Sequence, residues 1–188
     1  MNLQHYNYYL VVDLEATCCD RGNIRKEEME IIEIGAVMVH SESLSIVDEF
    51  QSFIKPIRHP ILTEFCKSLT SISQAQVDRA PTYPEAIALV KNWLSGYSKG
   101  VFGSWGDFDR QQFQQDSNFH KVPFPIAYPH VNLKQLFSDK QGLRKRHGMA
   151  KALTLAGLPL EGTHHRGIDD ARNIAKLLPY ILERKQLS

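Results

Sequence analysis

Cysteine is scarce in this sequence of 188 residues, which contains only Cys18, Cys19 and Cys66. An odd number of cysteines, with two adjacent and no CxxC pair, fits neither a disulfide framework nor a structural zinc site. No basic segment precedes the short apolar run at residues 8–12, and Asp13 ends that run before it reaches the length of a signal sequence. We therefore expect a reducing, cytoplasmic location.

Long hydrophobic runs and a strong net charge are also absent. No stretch approaches the roughly 20 apolar residues of a membrane-spanning helix, so we expect no membrane association. The formal net charge of +1 gives no strongly basic footprint for nucleic acid. However, 10 of the 21 acidic residues precede Phe50, and basic residues cluster at 144–147, Lys151 and 164–166. This asymmetry suits an acidic metal centre beside a phosphate-binding rim, although charged runs are more often solvated surface.

The length and the apolar content suit one domain. With 43% hydrophobic residues the chain can bury a sizeable core, and it is too short to favour two, so we expect one domain over residues 1–188. Apolar runs rich in β-formers predict three consecutive strands at 8–13, 31–40 and 45–54. The polar segment 18–30 is typical of an exposed, irregular loop.

Helical spacing of apolar residues begins after the third strand. We predict helices at 62–69, 73–77, 84–94 and 107–116, a strand at 100–104 and a proline-rich loop at 122–129. Segments 130–137, 149–156 and 168–182 complete the chain, the last of them as one helix. This order predicts an α/β fold with a mixed sheet that helices cover on both faces.

The first candidate site residues are Asp13 and Glu15, at the end of the first predicted strand. Strand side chains two residues apart share a face and lie about 6.6 Å apart along it, so the two carboxylates can share hard cations. Carboxylates at the mouth of a buried strand are costly unless they are paired or bind metal. A strand that simply ends in polar residues is the alternative, because an Asp-x-Glu pattern alone is a weak motif.

Asp109 is the second candidate, just past the predicted strand at 100–104. It lies one turn before Phe113, on the side that the helix must bury, and no backbone amide needs it there. Asp107 occupies the position of an N-cap, so we interpret it as a capping residue. Asp109 is therefore the better candidate for a metal ligand.

The third candidate group opens the last predicted helix. Asp170 precedes Ile174 and Leu177 by four and seven residues, which places it on the apolar stripe of the helix. Asp169 falls on the polar side with Asn173 and Lys176, so we interpret it as solvated or capping. His165 can face the same centre as Asp170 from the preceding loop, and we interpret the neighbouring His164 as structural.

Carboxylates from separate element ends can converge only through folding, and like charges that converge require cations. The proposed ligands are all oxygen atoms, with no convincing cysteine or second histidine. Magnesium or manganese is therefore the expected ion.

These motifs resemble those of the DEDD exonuclease superfamily, in the subclass whose fifth active-site residue is a histidine. D-L-E-A-T at 13–17 resembles its first motif, F-D at 108–109 its second and H-R-G-I-D-D at 165–170 its third. The chain is most similar to the group that trims small RNAs and the 3′ ends of histone mRNAs, through matches such as E-I-I-E-I-G-A-V at 30–37 and S-W-G-D-F-D at 104–109. The resemblance implies a ribonuclease-H-like fold, a five-stranded mixed sheet with helices on both faces.

The resemblance also implies the roles of the candidate residues. Asp13, Glu15 and Asp170 would hold one of two Mg²⁺ or Mn²⁺ ions, and Asp13 with Asp109 the other, while His165 would deprotonate the attacking water. The substrate would be nucleic acid with a free 3′ end, shortened to 5′-nucleoside monophosphates. Further substrate contacts are expected from a larger set: Glu15, Ala16, Thr17, Phe65, Phe108, His165, Arg144, Lys145 and Arg146.

Several functional alternatives remain open on the sequence. We expect RNA as the main substrate and single-stranded DNA as a further one, but the catalytic residues alone do not distinguish ribose from deoxyribose, so DNA 3′-end trimming or proofreading is an alternative. A non-catalytic nucleic-acid-binding module is a second alternative, although the complete set of five site residues argues against it. A glycosidase using Asp13 and Glu15 is a third, and it would need no metal. The sequence leaves the oligomeric state open.

Overall fold

The computed structural model describes residues 3–187, which form five β-strands, eight α-helices and two short 3-10 helices. The strands are β1 (Tyr8–Ala16), β2 (Ile31–His40), β3 (Ile46–Phe53), β4 (Gly100–Ser104) and β5 (His130–Asn132). The α-helices are α1 (Glu64–Thr70), α2 (Gln74–Asp78), α3 (Tyr83–Leu94), α4 (Phe108–His120), α5 (Leu133–Lys140), α6 (Met149–Leu155), α7 (Gly167–Ala175) and α8 (Leu178–Ile181). The 3-10 helices are Leu3–His5 and Lys26–Glu28.

The strands form one mixed sheet in the order β3-β2-β1-β4-β5. β1 pairs with β2 in antiparallel and with β4 in parallel orientation. β2 pairs with β3 in antiparallel orientation, and β4 pairs with β5 in parallel orientation. The mixed sheet predicted from the sequence is therefore confirmed. Since β1 is the central strand, the carboxylates at its end lie in the middle of the sheet edge.

Helices cover both faces of the sheet, as predicted. On one face, Tyr9 and Val11 of β1 pack against residues of α5, α6, α7 and α8. On the other face, Leu10 and Val12 pack against α3 and against Phe113 of α4. Burying a side chain of this size stabilises the fold by about 1.5–3 kcal/mol relative to leaving it exposed. The alternation along β1 therefore fixes which face each following residue of the strand occupies.

β1 is longer than predicted, because it continues to Ala16 instead of ending at Asp13. Its pairing with β2 persists through Glu15 and Glu33, and the register shifts only between Glu15 and Ala16. Asp13 and Glu15 thus lie within a paired strand rather than beyond one. The pairing with β2 holds their backbone on one side, whereas the pairing of β1 with β4 on the other side extends only to Val11.

The predicted helix at 168–182 is wrong, because two helices occupy this segment. α7 ends at Ala175 and α8 starts at Leu178, with Pro179 in its first turn. Proline lacks the N–H for the hydrogen bond to the preceding turn, and its ring clashes with the carbonyl four residues earlier, so a continuous helix is blocked here. In contrast, α4 runs four residues further than predicted, to His120.

The loop at 18–30 is irregular as predicted, with one 3-10 turn at Lys26–Glu28, but its end is not exposed. Glu30 is buried, and its carboxylate accepts hydrogen bonds from the backbone N–H groups of Ile57, Arg58 and His59. Replacing water with these donors offsets the cost of burying the charge. The loop is therefore attached to the segment that follows β3.

The start of α7 approaches the sheet unusually closely. A Cβ atom on Gly35 would lie 2.0 Å from the backbone carbon of Gly167, and a Cβ on Gly167 would lie 2.9 Å from the carbonyl oxygen of Asp13. Only glycine fits at such a contact. This approach brings the first turn of α7 directly over β1 and β2.

Among residues 3–187, no helix has both the length and the apolar character needed to cross a membrane.

All three cysteines are free thiols.

Candidate active site

Three carboxylates converge at the end of the central strand. Asp13 and Glu15 continue the face of β1 that packs against α7, and Asp170 lies in the first turn of α7. One oxygen from each carboxylate lies within 4.8 Å of the others. The strand period of two and the glycine contact between α7 and the sheet together produce this convergence.

Asp109 approaches the same centre from the other side of β1. It lies in the first turn of α4 and is only 5% exposed, so its predicted inward position is correct. Its Oδ1 accepts a hydrogen bond of 3.0 Å from the backbone N–H of Leu14, between Asp13 and Glu15. This bond holds the Asp109 carboxylate beside the other three.

Burial and mutual repulsion disfavour the ionised forms of these carboxyl groups. Burial, followed by the charges of Asp109 and Glu15, raises the pKa of Asp13 well above its usual range. Burial and the charge of Asp170 raise the pKa of Glu15 to about 8, and burial raises that of Asp109 to about 6. A nearby cation would reverse these shifts, because it favours the charged form.

The donor set fits a hard divalent cation. Asp13, Glu15 and Asp170 offer carboxylate oxygens, the donors that Mg²⁺ and Mn²⁺ prefer. Ring nitrogens of His164 and His165 also lie within 4.8 Å of an Asp170 oxygen, and the sequence did not indicate the approach of His164. A bound cation would relieve the repulsion among Asp13, Glu15 and Asp170, which would favour its binding. The same residues without a cation would be an unfavourable arrangement of buried like charges.

Two adjacent histidines lie beside Asp170. Nδ1 of His164 lies 2.9 Å from one Asp170 oxygen, and the backbone N–H of His165 donates to that same oxygen at 3.0 Å. The two imidazole rings stack with their centroids 4.0 Å apart. The ring of His164, interpreted from the sequence as structural, thus contacts a carboxylate of the cluster.

His165 adopts a strained backbone conformation, with φ of +63°. Residues other than glycine rarely occupy this left-handed region, and such strain concentrates at functional sites. Burial, then the neighbouring His164, lowers the pKa of His165. Its imidazole is therefore neutral and able to accept a proton near neutral pH.

A cleft of about 590 Å³ surrounds these groups. Its walls include the half-exposed ring of Phe108, Trp105 and the 148–151 segment. The indole N–H of Trp105 donates to the carbonyl of His147, which ties β4 to the start of α6. Trp105 belongs to the S-W-G-D-F-D segment that carries the family resemblance, but the sequence does not indicate that its side chain lines the cleft.

Comparison with known proteins identifies the family of this site. The model of the RNase T exonuclease family matches residues 10–178. The chain belongs to the DEDDh exonuclease family. Human 3′–5′ exoribonuclease 1 is 32% identical over 95% of this chain and 53% of the human protein. The 3′–5′ exonuclease eri1 of Schizosaccharomyces pombe is also 32% identical, over 91% of this chain and 66% of the yeast protein.

Solved structures of DEDDh exonucleases share the fold. The nuclease domain of 3′hExo, a DEDDh family member bound to rAMP, has a TM-score of 0.89 and 28% identity, covering 96% of this chain and 94% of that domain. The ribonuclease-H-like fold implied by the sequence is therefore confirmed. The chain spans about half the length of curated relatives such as the human exoribonuclease.

Asp107 lies beside the DEDDh site without the capping bond predicted for it. It occupies the N-cap position of α4, but no side-chain capping hydrogen bond forms, and its carboxylate accepts from Nδ2 of Asn132 at 2.9 Å. Its φ and ψ of −109° and −5° are helical, whereas capping requires an extended residue. The prediction of a cap was therefore wrong.

Asp169 points away from the carboxylate cluster, as predicted, and accepts a hydrogen bond from the backbone N–H of Thr163. Its other oxygen pairs with Arg172 at 3.0 Å. Asn173, assigned to the same polar side, is instead fully buried, because its side chain exchanges hydrogen bonds with the backbone of Glu161. The loop before α7 covers this side of the helix, which helical periodicity alone does not indicate.

Three residues expected to contact substrate do not line the cleft. Thr17 is buried, and its hydroxyl oxygen accepts from the backbone N–H of Glu30. The side chain of Ala16 is also buried, and the thiol of Cys66 donates to its carbonyl oxygen at 3.8 Å. Phe65 is half-exposed on α1, outside the cleft wall. The substrate contacts expected for these three residues stay predictions.

The basic run Arg144, Lys145 and Arg146 lies on an exposed loop between α5 and α6. Within the described part of the chain, the three side chains form no ion pair, and they do not line the cleft themselves. The next segment, at 148–151, does line it. The run therefore lies two residues before a segment of the cleft wall in the chain.

Proposed function

We propose that this chain is a metal-dependent 3′–5′ exonuclease that acts on RNA, with single-stranded DNA as a further substrate, and releases 5′-nucleoside monophosphates. The convergence of Asp13, Glu15 and Asp170 within 4.8 Å carries the proposal. The exonuclease family and relatives named 3′–5′ exoribonucleases support it. The three free thiols suit a reducing compartment, and we propose the cytoplasm.

Four carboxylates would hold the ions. Asp13, Glu15 and Asp170 would bind one Mg²⁺ or Mn²⁺, while Asp13 and Asp109 would bind a second. Bound divalent ions at such sites activate water and stabilise charge on the transferring phosphate. The backbone bonds of Leu14 to Asp109 and of His165 to Asp170 orient these ligands before substrate arrives.

His165 would take the proton from the attacking water. Its ring is at the cleft, and burial lowers its pKa, so the neutral form is present near neutral pH. A general base with a pKa near the working pH contributes typically 10²–10⁴-fold to rate. The stacked His164 ring restricts its orientation.

The substrate strand would lie along the cleft. The half-exposed Phe108 ring lines the cleft and would stack on a base, and the Glu15 carboxylate, which also lines the cleft, would contact the terminal ribose. Arg144, Lys145 and Arg146 would bind phosphates further from the reacting end. This arrangement would place the terminal phosphodiester over the carboxylates.

Rates on matched RNA and DNA oligonucleotides, single- and double-stranded, in Mg²⁺ or Mn²⁺ test this function. We expect single-stranded RNA to be shortened fastest and single-stranded DNA more slowly. Asp13→Asn should lose the activity. Glu42→Gln, which removes an exposed carboxylate in the turn between β2 and β3, should retain it. Faster cleavage of DNA would favour 3′-end trimming of DNA instead, and binding without cleavage would favour a non-catalytic module.

A further inference from the structure

A fifth carboxylate, that of Glu33, lies beside the metal-binding cluster without belonging to it. Glu33 on β2 is the direct cross-strand partner of Glu15 on β1, so the two side chains lie on the same face. Glu33 is completely buried, yet among the residues that the structure describes it is not one of the carboxylates that converge within 4.8 Å, which are Asp13, Glu15 and Asp170. Like charges directly opposite each other destabilise a strand pair, so the Glu33 charge requires compensation.

Three residues, one on β3 and two at the start of α7, donate hydrogen bonds to the Glu33 carboxylate. Nε2 of Gln51 on β3 donates at 2.7 Å, and the backbone N–H of Gly167 at the start of α7 donates at 3.1 Å. Nε of Arg166 donates at 3.1 Å, and its second guanidinium nitrogen lies 3.4 Å from the other oxygen. These contacts direct the Glu33 oxygens toward α7 and away from the cleft.

Arg166 connects this buried carboxylate to the catalytic turn. It directly follows His165, whose backbone N–H holds Asp170, and it directly precedes the glycine that contacts the sheet. Its side chain is 20% exposed and its guanidinium lies over the Phe53 ring at 5.2 Å. The pair thus anchors the strained turn at the position that carries the proposed general base.

We propose that Arg166 and Glu33 are a positioning pair for the exonuclease reaction. The pair fixes the turn that carries His165 and Asp170, and the guanidinium cancels a charge that would otherwise strengthen cation binding beside Glu15. The inference rests on the proposed function. The pair acts through its charge, which the Kd for Mn²⁺ reports, and through the position of the turn, which kcat reports.

The charge effect predicts shifts of opposite sign in metal affinity. Arg166→Gln leaves the negative charge of Glu33 uncompensated and should lower the Kd for Mn²⁺, measured by calorimetry at pH 8 without nucleic acid. Glu33→Gln leaves a positive guanidinium beside Glu15 and should raise that Kd. Each shift should be about fivefold to tenfold, as expected for a unit charge near a divalent ion in a partly screened site.

The position effect predicts a loss that the double variant does not recover. Glu33→Gln combined with Arg166→Gln restores neutrality, so its Kd for Mn²⁺ should return to within about twofold of wild type. Its kcat on single-stranded RNA should remain reduced at least tenfold with little change in KM, because the turn carrying His165 is no longer anchored. The double variant also tests the position effect if either single variant fails to fold because of its unpaired buried charge.

Arg172→Gln is the matched control, since Arg172 is also on α7 and pairs with Glu49 on the exposed side. Its Kd and kcat should stay within about twofold of wild type. Weaker Mn²⁺ binding in both single variants, or a double variant with wild-type kcat, would overturn the proposal. Wild-type protein that binds Mn²⁺ but cleaves no nucleic acid would instead contradict the proposed function, and the opposite Kd shifts would still test the pair's charge effect.

Discussion

At the scale of single residues, neighbours in the chain have different environments at this site. Asp170 is 4% exposed and faces Asp13 and Glu15, whereas the Asp169 carboxylate is held by Thr163 and an arginine on the outer side of α7. Helical periodicity predicted this difference, because the position of Asp170 on the apolar stripe depends only on local spacing.

The two aspartates should therefore respond unequally to truncation. Asp170→Ala removes a member of the carboxylate cluster and should lower nuclease activity by orders of magnitude and weaken Mn²⁺ binding measured by calorimetry. Asp169→Ala removes a loop contact and an ion pair, so it should cost roughly 0.5–2 kcal/mol of stability and leave metal affinity nearly unchanged. Loss of metal binding in Asp169→Ala with an active Asp170→Ala would mean that the third motif is misaligned by one residue.

Asp13→Asn should leave the metal-free fold as stable as wild type, or more so, as pH rises. The pKa of Asp13 is raised in the folded state, so its ionisation opposes folding, and wild type loses stability as pH rises through that pKa. Asparagine does not titrate. The advantage of the variant in urea unfolding with EDTA should therefore be larger at pH 8 than at pH 5. An advantage that shrinks with rising pH would contradict the account of repulsion.

Other site residues were not predictable from the sequence. Glu33 lies within the apolar run of β2, and only the register with β1 places it opposite Glu15. The role of His164 depends on the path of the loop before α7, and a stacked pair of histidines has no local sequence signal. Local patterns identify side chains that face inward, while their partners depend on tertiary pairing.

At the scale of elements, long periodic segments were predicted well and their ends less well. β2 and β4 match their predicted bounds, whereas β5 has only three residues, too few for a recognisable pattern. Pro179 indicates the break between α7 and α8, and the prediction of a single helix did not take this proline into account.

The turn after α1 permits a test of backbone strain at an element end. Ser71 follows the last turn of α1 with φ of +58°, in the left-handed region that favours glycine. Ser71→Gly should raise the free energy of unfolding by roughly 0.5–1 kcal/mol, because glycine adopts this conformation without a Cβ penalty. Ser95→Gly, after α3 with φ of −64°, is the control and should not stabilise the protein. A loss of stability in Ser71→Gly would show that the serine side chain makes a larger contribution than the strain.

The loop between α5 and α6 gives a second test at this scale. Replacing Arg144, Lys145 and Arg146 with alanine should weaken RNA binding with little effect on the chemical step. Each lost phosphate contact should reduce the slope of log K against log salt by about 0.7 on a single strand. Alanine at three exposed cations outside the cleft, Arg79, Lys91 and Lys185, is the control. An unchanged slope in the first variant would show that the run is solvated surface.

At the scale of the whole molecule, the sheet edge unites acidic groups that are far apart in the chain. Asp13 on β1, Asp109 on α4 and Asp170 on α7 meet there because helices pack on both faces of one sheet. The near-neutral net charge of +1 conceals this concentration of buried carboxylates. The single domain over residues 1–188 stays a prediction, and the family match at 10–178 is consistent with it.

The most direct test of the account measures mononucleotide release from one single-stranded RNA prepared with a free or a chemically blocked 3′ end. In Mg²⁺, the free 3′ end should yield 5′-nucleoside monophosphates one at a time, with shortening seen from a 5′ label, and EDTA should stop the reaction. The blocked RNA should remain intact. Mononucleotides released from the blocked RNA, or in EDTA, would contradict a metal-dependent 3′–5′ exonuclease built on Asp13, Glu15, Asp109 and Asp170.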